Sequence, residues 1–213
     1  MCSQEQLQPR LREQASAVLQ RLSAPEREAL LIKCWMSHDA RWFMAVAMEY
    51  GMEAANRLNR VAAREVGRAE ARRVARALEL PRPRTVDDWL LTQEIFLGFL
   101  GPDLADYRVT KTGTRTFQID VQRCFAHENA TRAGISDSYE CGMFARITGW
   151  ADALGVGYEI SPSPGKCLKA TGEECLYRFT LSFGTESDHQ ESGDGREATA
   201  APRAEGQGKE KPG

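Results

Sequence analysis

The chain predicts an α+β fold: an amino-terminal helical bundle packed on a small antiparallel sheet unit, strand-strand-helix-strand-strand, with a disordered carboxy-terminal tail. Three observations predict it. Apolar residues recur at helical spacing over 7–80, the period changes to strict alternation after Pro102, and large apolar residues nearly vanish from Gly184 onward. The text divides accordingly into a helical region at 1–102, an α+β unit at 103–183 and a tail at 184–213. With 213 residues, 42% of them hydrophobic, a sizeable core can be buried.

Each element has its local cause. Leu11, Ala15, Val18, Leu19 and Leu22 make the apolar stripe of a first helix. Ser23-Ala24-Pro25-Glu26 is a helix start, with a hydroxyl to cap, a proline in the first turn and a glutamate three residues on. One helix then runs through Ala29, Leu30 and Leu31; the next, 37–50, stops at Gly51; a long one, 52–80, is closed by Pro81-Arg82-Pro83. Residues 86–100 add a short helix before Gly101-Pro102. Residues 107–121 alternate on both sides of a turn at Gly113, the pattern of an antiparallel hairpin. A helix is expected over 136–154, with Ser136 or Asp137 as its cap and Gly155 as its stop, then strands at 157–161 and 175–183. The tail has too little apolar surface to offset the entropy of ordering, which removes His189 from the candidate ligands.

Composition excludes several classes. The formal net charge of -2 supplies no global field for nucleic acid or anionic membrane, and no stretch approaches the ~20 apolar residues of a membrane span. The beginning, MCSQEQLQPRLREQ, lacks a basic start followed by an apolar run, so the expected location is the cytoplasm. Arginines at 60, 64, 68, 72 and 76, with Arg57 and Arg73 beside them, form a basic ridge on the long helix. Glu65, Glu70 and Glu79 interrupt it and no aromatic residue is interleaved for stacking, so nucleic acid is not an expected partner. There is no GxSxG elbow, no HExxH, no GxGxxG and no P-loop.

Two constellations carry chemistry. Cys124, Cys141, Cys167 and Cys175 crowd one small folded stretch, and in a reducing compartment such thiols hold a metal more readily than they form disulfides. Buried free thiols packing as small hydrophobes are the competing interpretation. Trp35, His38 and Trp42 share one helical face with Asp39 at its shoulder: a ligand pocket with a titratable group, or a core-facing aromatic stripe with a hydrogen-bonded histidine.

The run Cys141-Gly-Met-Phe-Ala-Arg-Ile-Thr-Gly149-Trp150, followed by Lys166-Cys167-Leu168, Thr171-Gly172 and Cys175-Leu-Tyr-Arg-Phe179, resembles the 4-vinyl reductase-like domain. With His38-Asp39-Ala-Arg-Trp42-Phe43 and Gly51-Met-Glu-Ala-Ala-Asn56, it also resembles the related L-2-amino-thiazoline-4-carboxylic acid hydrolase-like group of bacterial proteins. The first resemblance implies a zinc held by three cysteines and a glutamate beside a pocket for a small organic ligand. Cys141, Cys167 and Cys175 match the cysteines; Pro164 stands where the glutamate is expected, leaving Cys124, then His127 and Glu159, as the fourth ligand.

Two functions follow. In one, the chain is a small-molecule-binding protein with structural zinc, its pocket walled by Trp35, His38, Trp42, Phe117, Phe144 and Trp150. In the other it is a small hydrolase or lyase using His38 as general base, Asp39 as orienter, and a thiol or zinc-bound water as nucleophile. A small organic ligand and a second copy of the chain are the expected partners.

Overall fold

The computed structural model describes residues 7–101 and 104–184. Apart from Gly184, the tail expected at 184–213, with His189, lies outside them. The described chain is α+β, a helix-rich amino-terminal part against a four-stranded antiparallel sheet. The elements are α1 (Leu7–Leu19), α2 (Ala24–Ala77), α3 (Val86–Leu100), β1 (Ala105–Lys111), β2 (Thr116–Cys124), α4 (Phe125–Arg132), α5 (Met143–Leu154), β3 (Val156–Ser161) and β4 (Leu176–Phe183).

The three helices expected between Ser23 and Leu80 are one element. Ser23 caps α2 in a capping box, its hydroxyl accepting from the Glu26 N–H while the Glu26 carboxylate accepts from the Ser23 N–H at 2.8 Å. No breaker then occurs until Gly51, which at φ 83°, ψ 163° occupies backbone space that a side chain would oppose. Gly51 thus divides α2 into a first arm, 24–50, and a second arm, 52–77. A second capping box, Thr85 with Asp88, starts α3.

The strands run in the order β1-β2-β4-β3, all neighbours antiparallel. Phe117 and Ile119 of β2, with Tyr177, Phe179 and Leu181 of β4, point to one face of the sheet and are buried. Phe117 stacks on Phe179 with ring centroids 4.9 Å apart. Onto this face α5 sets Phe144, Ile147, Trp150 and Leu154, and α3 sets Trp89 and Phe96, in one buried cluster that draws on residues from both sides of position 102. No residue of α5 is exposed, because its opposite side is covered by the second arm of α2. That approach needs glycine on both helices: a Cβ at Gly67 would collide with the Arg146 carbonyl, and one at Gly149 with the Arg64 carbonyl.

Two departures from expectation shape the site. Helix α5 begins at Met143 rather than Ser136, because 139–141 pairs instead: Glu140 bridges Lys166, and the Cys141 N–H donates to the Gly165 carbonyl at 2.8 Å. Helix α4 was not expected; its apolar positions Phe125, Ala126, Ala130 and Ala133 carry a helical spacing too short to stand out. The stop at Gly155 is as expected, a left-handed cap at φ 68°.

Candidate functional site

Helix α4 is the divider between two features. One side of it, through Phe125, Ala126, Asn129, Ala130 and Ala133, walls a cavity of about 150 Å³. Trp35, Met36, Asp39, Ala40, Phe43 and Met44 of the first arm of α2, Asn59 and Ala63 of the second arm, and Tyr139, Met143 and Arg146 supply the other walls. The break at Gly51 is what lets both arms face one space. Phe43 meets Tyr139 edge to face at 5.7 Å. Arg146 lays its guanidinium 4.7 Å over the Trp35 ring and is held there by Glu70, which accepts two hydrogen bonds from it and a third, at 3.2 Å, from the Trp150 indole N–H.

On the other side of α4, the four cysteines gather at one end of the sheet. Cys124 ends β2. Cys175 directly precedes β4, and its carbonyl accepts from the Val121 N–H at 2.9 Å, which places it beside that strand end. Cys141 and Cys167 flank the Glu140–Lys166 bridge, with the Cys167 N–H donating to the Tyr139 carbonyl at 3.3 Å. The Cys167 sulfur lies 3.6 Å from Nδ1 of His127 on α4. Burial pushes the Cys141 thiol up to about 12, with Cys124 and Cys175 adding repulsion to its charged form. Burial likewise takes Cys175 to about 11, with Cys124 and Cys167 contributing, and raises Cys124. Cys124, Cys141 and Cys175 therefore each feel a neighbouring thiol. As they stand, no three or more His, Cys, Asp or Glu side chains among the described residues form a metal-holding group.

Tyr139 joins the two features. It lines the cavity, and burial followed by the nearby Cys141 thiol raises its phenol.

Several expected site residues are elsewhere. Trp35 and Asp39 line the cavity, but His38 does not; it is exposed, and on a helix it points about 100° away from Asp39, so the two form no dyad. Trp42 is 65% exposed and faces away from the cavity. Phe117, Phe144 and Trp150 are core residues under the sheet and α5, buried because strand alternation and the inner stripe of α5 send them there; Phe144 packs on Tyr177 at 4.0 Å. The residues missed are Phe43, Phe125, Asn129, Tyr139 and Arg146. The spacing of the apolar side of α4 was the available signal.

The basic ridge also has another use. Arg60 pairs with Glu140; Arg64 and Arg68 both reach Asp152 on α5, at 2.7 and 2.8 Å. These arginines tie the second arm to the sheet unit. Among the described residues, no helix is long and apolar enough to cross a membrane.

No curated protein matches the chain. Residues 22–147, more than half of it, match a family of unknown function, DUF6125. That span contains every residue lining the cavity, together with Cys124, His127 and Cys141, and ends before Cys167 and Cys175. With two arms of one helix and α4 closing a cavity inside the matched stretch, the chain belongs to the family of unknown function DUF6125.

Proposed function

We propose that this chain is a cytoplasmic small-molecule-binding protein whose ligand occupies the cavity between the arms of α2, with a zinc held by thiolates on the far side of α4. The supporting observation is α4 itself, walling an aromatic-lined space of about 150 Å³ with one side and setting His127 against Cys167 with the other. A volume of that order accepts a single six-membered ring.

The donor chemistry fits zinc. Cys141, Cys167 and Cys175 would hold it with Cys124 as the fourth donor, His127 next to Cys167 being the alternative to Cys124; closing on one ion requires their rotamers to turn inward. Burial favours the protonated thiols of Cys124, Cys141 and Cys175, and a divalent cation reverses that preference by stabilising the thiolates. A closed set of four ligands is structural, fixing the 139–142 segment and, through Tyr139, the cavity wall. Reducing cytoplasm keeps the thiols available for it.

A second reading, a small hydrolase or lyase acting on a thiazoline-carboxylate-like heterocycle, has one observation in its favour: an imidazole and a thiol, His127 and Cys167, in contact at 3.6 Å, which would put the base at His127 rather than His38.

Metal analysis of the purified full chain tests the zinc. One zinc per chain is expected in the wild type, with Cys141→Ser and Cys175→Ser each losing it together with cooperative folding. Absence of metal from wild-type protein purified under reducing conditions sinks the zinc site. Zinc lost from these variants without loss of folding favours the hydrolase.

A further inference from the structure

The cavity contains two charged lining residues, Asp39 and Arg146, and only one of them is compensated. The Arg146 guanidinium is neutralised by Glu70 through two hydrogen bonds, with both side chains mostly covered, at 12% and 23% exposure. Its face is taken up by the Trp35 ring. Asp39 makes no hydrogen bond and no ion pair among the described residues. The electrostatic balance of the lining is therefore that of one carboxylate among aromatic rings, methionines and two neutral amides, Asn59 and Asn129.

We propose that the ligand is a small organic cation, an ammonium or amidinium on a single ring or compact hydrocarbon, with Asp39 as its counter-charge and Trp35, Phe43 and Tyr139 as its walls. This rests on the reading of the cavity as a small-molecule site and specifies the chemistry of its occupant. An anion entering this space meets the Asp39 carboxylate with no spare cation to offset it. A neutral ligand covers that carboxylate without giving it a partner, which costs desolvation. Asp39 is open to water, and a cation replaces the water that it displaces from the carboxylate with a charged hydrogen bond while gaining from the electron-rich faces of the aromatic walls. The methionines adapt to its outline, which makes shape a weaker discriminator here than charge.

Benzylamine, a cation at neutral pH, benzyl alcohol and benzoate form a matched set that fits the cavity. Their binding to the full chain is measured by ligand-detected NMR and calorimetry. Benzylamine is expected to bind about tenfold more tightly than benzyl alcohol, with benzoate weakest. In Asp39→Asn the preference of benzylamine over benzyl alcohol disappears while the melting temperature is unchanged, because Asp39 is exposed. If benzyl alcohol binds wild type as tightly as benzylamine, or Asp39→Asn retains the preference, the cation proposal is overturned and the cavity stands as a site for neutral molecules. If none of the three binds wild type, the proposal and the small-molecule reading fall together.

Discussion

The two arms of α2 share one helix and have opposite fates. The second arm, 52–77, is pressed onto α5: Ala55, Asn56, Gly67 and Ala71 are buried, and its arginines find carboxylates across the seam. The first arm, 24–50, buries only Val46 and leaves Leu30, Leu31, Trp42, Met48 and Tyr50 largely exposed. Apolar content does not explain the difference, because the more exposed first arm is the richer in large apolar residues. What does explain it is the partner: α5 offers Gly149 where the second arm passes, so backbones approach closely, whereas the first arm touches Tyr139 and Arg146 through single side chains and leaves a cavity against α4. A tight seam gives stability and a loose one leaves a cavity, and Gly51 is the residue that lets one helix do both.

The largest expected effect contrasts two tryptophans. Trp150, fully buried beneath the second arm and bonded to Glu70, should cost about 3–5 kcal/mol when changed to Ala. Trp42→Ala on the first arm should stay within about 0.5 kcal/mol. Urea denaturation of both variants measures the difference, and equal losses would mean that something covers the first arm.

A smaller effect tests the close approach itself. Gly149→Ala places a methyl group against the Arg64 carbonyl, backbone that cannot swing aside, and should destabilise by about 1–3 kcal/mol. The same change at Gly98 on α3, where nothing lies within 4 Å, should be neutral or stabilising by about 0.5–1 kcal/mol. A tolerated Gly149→Ala would show the seam to be looser than its geometry.

The smallest concerns the charges along the seam. Burial alone would raise the Asp152 carboxyl, but hydrogen bonds from Arg64 and Arg68 outweigh it and hold the pKa below its ordinary value. A depressed carboxyl contributes stability that is complete above its unfolded pKa, near 4, and is lost as pH falls through the lower folded value. Asp152→Asn should therefore cost about 1 kcal/mol at pH ~6, and its deficit against wild type should shrink toward pH ~2. Chemical denaturation at the two pH values reads this directly; a deficit independent of pH would assign Asp152 a packing role instead.

Local chemistry was legible in the chain. Ser23 with Glu26, the hairpin around Gly113 and the stop at Gly155 each occur where short-range hydrogen bonding or backbone freedom requires them. The start of α5 was not, since 136–142 has helical period yet forms only a 3-10 turn at Ser136–Ser138 before Glu140 and Cys141 pair with Lys166 and Gly165, partners more than twenty residues away. The pocket followed the same rule. Trp35 and Asp39 could be picked out as candidates, but Phe117, Phe144 and Trp150 could not be separated from wall residues, because an aromatic side chain looks identical in sequence whether it faces a cavity or a core.

By itself the sequence determined the Ser23 cap, the Gly155 stop, the hairpin and with them the α+β class, all of which depend on residues within a few positions of one another. Only the tertiary structure decided that α5 is sandwiched between sheet and helix, that the arginine ridge is an ion-pair seam, and that α4 separates a cavity from a group of cysteines. Those outcomes depend on which surfaces meet, and meeting is set by packing between segments far apart in the chain, for which periodicity carries no record.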